Sequence, residues 1–371
     1  MTPTLTSWHT PWWAWAAPLG ASVLLAAKLT GLVPAASLAV LIPAAALLFG
    51  AVFAAVHHAK IVALRMGEPF GSIVLAIAVT VIEVALIVSI MLAADGRGEA
   101  LARDTVYAAV MIVLNGVVGL CLISGGARHH EQSFHEQGAS AALSVLGTLA
   151  IIALILPNHT RAVPGPFYAP AQLVLVGFVS LCLYGVFLFV QTIRHRDYFM
   201  SGTAKGGAAE DDEAHAARPS SRMTAISAGL LIVALTAVVL LAKALSPSLE
   251  KAVSAAGLPP AFVGVVIAGL VLLPEGTAAI HAARLNRLQT SLNLALGSAV
   301  ASIGLTIPAV AVVSLMMDQR LTLGLPAEET VLLILTLFIS TVTLATGRTT
   351  ILQGAVHLVI FAVFLFLSAM P

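Results

Sequence analysis

Residues 71–93 read GSIVLAIAVTVIEVALIVSIMLA, a stretch that is apolar throughout apart from three hydroxyl side chains and one acid, Glu83. Its length matches the roughly 20 residues that a helix needs to cross the hydrocarbon core of a bilayer. In lipid the backbone must satisfy its own hydrogen bonds, so a run of this kind has to be helical. The stretch therefore predicts a transmembrane helix that carries a carboxyl group near mid-depth.

The rest of the chain has the same character. The 371 residues are 59% hydrophobic and 9% charged, whereas soluble domains are about 25% charged. A net charge of +1 without a basic cluster argues against nucleic acid as a partner and leaves the lipid bilayer as the expected surrounding. We expect an all-α polytopic membrane protein with eleven transmembrane helices, at 12–28, 33–55, 71–93, 104–126, 139–157, 170–192, 224–245, 261–283, 291–317, 330–346 and 354–370.

The basic residues indicate an orientation. Connections on the side of the N-terminus hold eleven lysines and arginines, and those on the other side hold seven. Because cytoplasmic connections are enriched in these residues, we expect the N-terminus in the cytoplasm and the C-terminus outside.

Two acids stand apart from the other fifteen, because only Glu83 and Glu275 lie well inside apolar helices. An acid at the bilayer centre costs about 2.5–3.5 kcal/mol, so each should face the protein interior or an aqueous cavity. No lysine or arginine lies at comparable depth, so a proton and a metal ion become alternative occupants of each carboxyl group. A site that holds one or the other can couple two gradients. The opposing interpretation is that each glutamate is protonated and only hydrogen-bonded to its surroundings.

The two glutamates occupy matching places in the chain. Glu83 is in the third predicted helix and Glu275 in the eighth, so each lies in the second helix of a five-helix block. Because the two blocks are offset by five helices, an odd number, the second block is inverted in the membrane relative to the first. We expect an N-terminal segment with a leading helix at 1–32, a first repeat at 33–192, an acidic cytoplasmic linker at 193–223 and a second repeat at 224–371. The linker has the composition of a disordered segment, and a cation-sensing role for it stays open.

Two sets of residues carry a family resemblance. The first is Leu64–Ser72 with Thr80-Val81-Ile82-Glu83; the second is Gly257-Leu258, Ala261–Gly264, Pro274-Glu275, Asn286–Leu288, Ala295–Ser298 and Pro308. With these, the chain resembles the calcium/cation:proton exchanger family of the calcium:cation antiporter superfamily, and most closely its ChaA-type bacterial sodium, potassium and calcium:proton antiporters. The resemblance implies an inverted-repeat fold in the bacterial inner membrane. It also implies an ion site at Glu83 and Glu275, to which Ser298 and Thr80 add oxygens.

The chain departs from the family pattern around this site. Where the family has asparagine before each glutamate, this chain has Thr80 and Leu272, and a family glutamine is replaced by Ala301. Because Ca²⁺ takes six to eight oxygen ligands, these losses favour a monovalent ion. We expect Na⁺ and K⁺ as transported ions, and Ca²⁺ stays open as an additional substrate.

Several other polar residues allow two interpretations. Asn115, Asn293 and Ser302 either belong to the ion site or join neighbouring helices. His357 is interpreted as a satisfied interior histidine, and Glu68 either as a helix-entry carboxylate or as part of a cation funnel. The histidines at the cytoplasmic side, among them His57 and His58, are either interfacial or part of a pH sensor.

These observations predict a secondary cation:proton antiporter that works by alternating access, with protons and the transported cations as partners and no further cofactor. The alternatives are a cation channel and a Ca²⁺-specific proton exchanger. No nucleotide-binding, His-Glu-x-x-His or Gly-x-Ser-x-Gly motif is present, so we expect neither an ATP-driven pump nor an enzyme.

Overall fold

The computed structural model describes residues 10–30, 38–67, 70–93, 100–200 and 219–371. In this part of the chain eleven helical rods follow one another, one for each predicted span. The helices are α1 (Trp12–Leu29), α2 (Leu38–Met66), α3 (Phe70–Ala93), α4 (Leu101–Met111), α5 (Val118–His129), α6 (Glu136–Ala150), α7 (Pro170–Phe189), α8 (Ser221–Ala255), α9 (Phe262–Arg284), α10 (Leu288–Met316), α11 (Ala327–Leu344) and α12 (Ile351–Ala369).

Three of the rods contain wider, π-helical turns. The segment Ile112–Val117 joins α4 to α5 within one rod, Ile151–Ile155 extends α6 and Val190–Arg194 extends α7. Such turns often mark functional places in helices. The sequence analysis predicted uninterrupted helices here, because nothing in the hydropathy distinguishes a π turn from an α turn.

The rods are suited to a membrane. Among the described residues, nine helices are long and apolar enough to cross one, and α3 supplies a shorter apolar stretch, Val74–Val88. Large apolar side chains such as Phe178, Phe338 and Phe366 point outward and are more than half exposed. An apolar surface of this kind is favourable in contact with lipid. This confirms the prediction of a polytopic all-α membrane protein.

The chain forms two compact units, each made from separate pieces of sequence. The first contains the described residues of Met1–Ile82 and Gly202–Leu245. Within it α1 packs along α2, and a buried cluster of Ala21, Ala44, Ala237 and Leu241 joins α1, α2 and α8. Small residues let these backbones approach closely, as is common in membranes.

The second unit contains the described residues of Glu83–Ser201 and Ser246–Pro371. Within it α9 packs along both α4 and α10, and α12 packs along α5. α5 and α12 cross at two glycines, since a Cβ on Gly354 would lie 2.9 Å from the Gly119 carbonyl oxygen. The expected repeat boundaries at 33–192 and 224–371 remain predictions.

The connections of the second unit are held by polar contacts. A two-stranded antiparallel sheet joins β1 (Gln132–Ser133) to β2 (Arg348–Thr349). The Gln132 amide also donates to the Ala283 carbonyl at 2.9 Å and to Asn286 Oδ1 at 3.0 Å. Four of the five acids of the expected linker, Glu210, Asp211, Asp212 and Glu213, lie outside the described residues, as does Glu68.

Two of the histidines on the expected cytoplasmic side, His58 and His129, have backbone partners. His58, in the first unit, is fully buried and its Nε2 lies 3.0 Å from the Ala14 carbonyl oxygen. His129, in the second, lies 3.0 Å from the Arg284 carbonyl oxygen. Both rings therefore tie helices together.

Candidate functional site

Glu83 lies at the middle of α3 and is only 4% exposed. The hydroxyl of Ser302, on α10, donates a hydrogen bond to Glu83 Oε1 at 2.6 Å, and Ser302 itself is 3% exposed. This short contact joins residues that are 219 positions apart. It places a carboxyl group and a hydroxyl group together inside the second unit.

The partner of Glu83 is a neutral group. Two ion pairs among the described residues, Arg103–Asp104 and Glu131–Arg348, do not include Glu83. A buried carboxylate without a cationic neighbour is costly, so the charged form of Glu83 depends on what else enters the site.

α10 presents hydroxyl groups on the face that meets Glu83. Ser298, Ser302 and Thr306 follow one another at four-residue intervals and so share one face of the helix. The Thr306 hydroxyl is fully buried and lies close to the Glu83 carboxyl group. Pro308 has no N–H, which leaves the Gly304 carbonyl without its usual helical partner. The face therefore offers several neutral oxygen atoms.

Glu275 lies on α9 and is half-buried. Pro274 precedes it, which removes the helical partner of the Leu270 carbonyl, while the Thr277 hydroxyl donates to the Pro274 carbonyl at 2.9 Å. The neighbouring Gly276 packs on the π turn of the fourth rod, since a Cβ there would lie 3.2 Å from Val117.

The other predicted ligands are less central. Thr80 is buried on α3, three residues before Glu83, and Ser298 is half-buried on α10, one turn before Ser302. The hydroxyl that bonds to Glu83 is that of Ser302, which the sequence analysis left open between a site role and helix packing. The four-residue spacing could have placed Ser302 on the same helix face as Ser298, but it could not have shown which of the two serines bonds to Glu83. Roles for Thr80, Ser298 and Glu275 as ligands stay predictions.

Asn115, His357 and Asn293 bond to partners other than Glu83. Asn115 and His357 are fully buried and bond to each other at 3.2 Å. Asn293 bonds with Gln289 and with the Phe199 carbonyl oxygen near the end of α10. Asn115, His357 and Asn293 thus have structural partners.

The described residues contain no group of three or more His, Cys, Asp or Glu side chains that could hold a metal ion. Hydroxyl and carbonyl oxygens such as those on the α10 face beside Glu83 suit Na⁺, K⁺ and Ca²⁺ better than transition metals.

The chain is similar to known transporters over almost its full length. It is 56% identical over 367 residues to "Putative ionic transporter y4hA" of Sinorhizobium fredii, an alignment that covers 98% of this chain and 97% of that protein. It is 36% identical over 318 residues to the sodium-potassium/proton antiporter ChaA of Escherichia coli, which covers 86% of this chain and 85% of ChaA. The resemblance to ChaA-type antiporters is thereby confirmed.

Solved structures share the fold. The structure of native YfkE matches with a TM-score of 0.72 at 16% identity and covers 97% of this chain and 100% of that one. An H⁺/Ca²⁺ exchanger, CAX, matches with a TM-score of 0.68 at 17% identity and covers 95% and 88%. The sodium/calcium exchanger protein family matches residues 36–193 and 226–370. The relatives of this chain include cation/proton antiporters. Together with the eleven helical rods, these matches show that the chain belongs to the sodium/calcium exchanger protein family.

Proposed function

We propose that this chain exchanges a metal cation for protons by alternating access, and that Glu83 and Glu275 bind the two kinds of ion in turn. The observation that carries the proposal is the contact between the buried Glu83 carboxyl group and the Ser302 hydroxyl. It supports exchange because it provides for both protonation states of the acid.

A hydroxyl group can both donate and accept a hydrogen bond. When Glu83 is ionised, the Ser302 hydroxyl donates to its carboxylate, as in the 2.6 Å hydrogen bond. When Glu83 is protonated, the same hydroxyl can accept from the acid. A fixed cationic partner such as arginine would instead hold the carboxyl group permanently charged, and the proton could not compete with the metal ion. The neutral partner therefore keeps both occupants accessible.

Bound metal would replace the missing positive charge. The candidate oxygen ligands are the two carboxylates, the hydroxyls of Ser302 and Thr306, those of Thr80 and Ser298, and the Gly304 and Leu270 carbonyls freed by prolines. A site of two carboxylates supplemented by neutral oxygens and water suits a hard cation of low charge. We infer Na⁺ and K⁺ as cargo, with Ca²⁺ as a further candidate. The name of ChaA, a sodium-potassium/proton antiporter, agrees with the monovalent ions.

In the proposed cycle the site is loaded from the cytoplasm with a metal ion on ionised Glu83 and Glu275. Access then changes to the outside, protons displace the metal ion, and the protonated site returns. The bacterial inner membrane supplies the proton gradient, the N-terminus is cytoplasmic, the C-terminus is outside, and no cofactor takes part.

The test is proton flux in everted membrane vesicles on addition of Na⁺, K⁺ or Ca²⁺ in turn. Wild-type protein should release protons from an acidified lumen on addition of the transported cation. Glu83→Gln and Glu275→Gln should each lower this exchange at least tenfold, because an amide cannot alternate between a proton and a metal ion. Glu136→Gln, at an exposed carboxyl group that begins α6, is the matched control and should exchange normally.

Two results would contradict the proposal. Normal exchange in either variant, at equal amounts of protein in the membrane, would remove that glutamate from the coupling role. Cation flux that persists without any proton movement, when the membrane potential is clamped, would indicate a channel.

A further inference from the structure

A second polar cluster is buried in the described part of the chain, apart from Glu83. His357 Nδ1 lies 3.2 Å from Asn115 Oδ1, and His357 Nε2 lies 3.2 Å from Thr343 Oγ1. The Asn115 amide donates to Thr336 Oγ1 at 2.9 Å, and Thr336 Oγ1 lies 3.4 Å from Met111 Sδ. We call these five side chains the His357 cluster. It joins the fourth rod, α11 and α12.

The donors and acceptors of the His357 cluster match throughout. Because Asn115 presents its carbonyl oxygen, His357 Nδ1 must carry the hydrogen, so Nε2 accepts from Thr343. Asn115 then donates to Thr336, whose own hydrogen is directed at the Met111 sulfur atom. Every member has a partner and the ring is neutral in this scheme. A cation would have to displace an existing partner, so the cluster is no second ion site.

The cluster is attached to the π turn of the fourth rod. Asn115 lies inside the segment Ile112–Val117, and the His357 ring also lies close to the Leu114 backbone carbonyl within it. One turn further along α12, the Phe361 ring packs on Gly116, where a Cβ would lie 3.2 Å away. α12 therefore holds the wide turn through one hydrogen-bonded contact and one packed ring. Since a π turn is less stable than an α turn, such contacts can determine whether it persists.

The opposite side of the same π turn touches the helix of Glu275. Val117, its last residue, packs on Gly276, which follows Glu275 directly. Beside this contact lies an apolar cleft of about 340 Å³ that is lined by residues of the fourth rod, α9 and α12. A change in the π turn would be passed to Gly276 and hence to the backbone that carries Glu275.

We propose that His357 and Asn115 are positioning residues for Glu275: they hold the π turn at Ile112–Val117 in the shape that sets the place of that carboxyl group. This inference rests on the proposed function, because it concerns the geometry of the same ion site. It assigns His357 no contact with the transported ion. The effect should therefore appear in the cation concentration for half-maximal exchange, while the coupling of cation to proton is kept.

The test uses the full-length protein with three substitutions of His357. His357→Asn places an amide where Nδ1 was and keeps the bond to Asn115. His357→Gln places an amide nearer to Nε2 and keeps the bond to Thr343. His357→Leu keeps neither bond. If the link to Asn115 is what matters, the Leu and Gln variants should raise the half-saturating cation concentration by about 3- to 10-fold, the range of one lost neutral hydrogen bond, and Asn should stay within about twofold of wild type.

A second readout does not depend on transport. The thermal midpoint of purified protein should rise on addition of Na⁺ or K⁺, because a ligand that binds only the folded state stabilises it. The cation concentration needed for half of this rise should shift in the Leu and Gln variants as the transport value does. Ser180→Ala, at another fully buried polar side chain in the second unit, is the control and should leave it unchanged.

The outcomes separate this inference from the proposed function. If Glu275→Gln abolishes exchange while all His357 variants keep wild-type half-saturation in both readouts, the positioning role is wrong and the proposed function stands. If Asn and Gln shift the half-saturation equally, the cluster only packs the helices and the inference is also wrong. Should the Leu variant fail to fold, the comparison of Asn with Gln still decides. Normal exchange in Glu275→Gln would overturn the proposed function itself.

Discussion

Replacing Ser302 by alanine removes the 2.6 Å hydrogen bond to the Glu83 carboxyl group without adding bulk. A hydrogen bond to a charged group contributes about 1.5–3 kcal/mol, and a neutral one about 0.5–1.5 kcal/mol. In the metal-loaded state Ser302 faces an ionised carboxylate, and in the protonated state it faces a neutral acid. Only the difference between the two states changes the competition between metal ion and proton.

That difference is about 1–1.5 kcal/mol, which corresponds to a change of about five- to tenfold in relative affinity. We therefore expect Ser302→Ala to raise the half-saturating concentration of Na⁺ or K⁺ by about five- to tenfold at fixed pH. The assay is cation-dependent proton flux in everted vesicles, with the amount of protein measured in each preparation. Ser302→Thr, which retains a hydroxyl, should show a smaller shift.

Ser314→Ala supplies a matched control on the same helix. Ser314 is also a buried serine with a 2.6 Å hydrogen bond, but its acceptor is the Gln319 backbone carbonyl. This control should lower stability without a change in half-saturation. An unchanged half-saturation in Ser302→Ala, or an equal shift in Ser314→Ala, would refute the reasoning.

Two further substitutions test the packing that holds the site. Gly264→Ala should destabilise the protein by about 1–3 kcal/mol, because the new Cβ would lie 2.9 Å from the Asp104 backbone. Gly269→Ala on the same helix, where a Cβ would meet nothing within 4 Å, should be neutral or stabilising by up to about 1 kcal/mol. The two variants are compared by their thermal midpoints in detergent. Gln132→Ala should destabilise by about 1–3 kcal/mol, because it removes the two hydrogen bonds from the Gln132 amide to the Ala283 carbonyl and to Asn286 Oδ1, whereas Glu131→Gln removes only an exposed ion pair and should cost under about 1 kcal/mol. Equal midpoints within either pair would contradict these assignments.

The sequence predicted the helices well because their cause is local. Each span is an apolar run of sufficient length, and lipid leaves such a run no alternative to helix. Glu83 could be singled out for the same reason, since an acid within 71–93 contrasts with everything around it. Most ends of the eleven rods lie within a few residues of the ends of the eleven predicted spans.

The parts that the sequence could not predict depend on contacts between distant residues. Ser302 is 219 positions from Glu83, and its neighbour Ser298 fits the family motif better. The π turn at Ile112–Val117 has no hydropathy signal, since Asn115 and Gly116 are equally compatible with an α-helix. The pairing of β1 with β2 joins residues that are more than two hundred positions apart, which no local pattern encodes.

The separation of Glu83 from Ser302 has a consequence for how the protein is made. At about 5–20 residues per second, α3 leaves the ribosome roughly 10 to 45 s before its hydrogen-bond donor exists. During that interval the acid must enter the bilayer unaided, and the many Leu, Ile and Val residues of α3, each contributing about −0.3 to −0.6 kcal/mol near the helix centre, have to offset it. The hydrophobicity of this helix thus serves insertion by the translocon, and polar replacements at its lipid-facing positions would reduce the yield of inserted chains even where they leave the finished transporter unchanged.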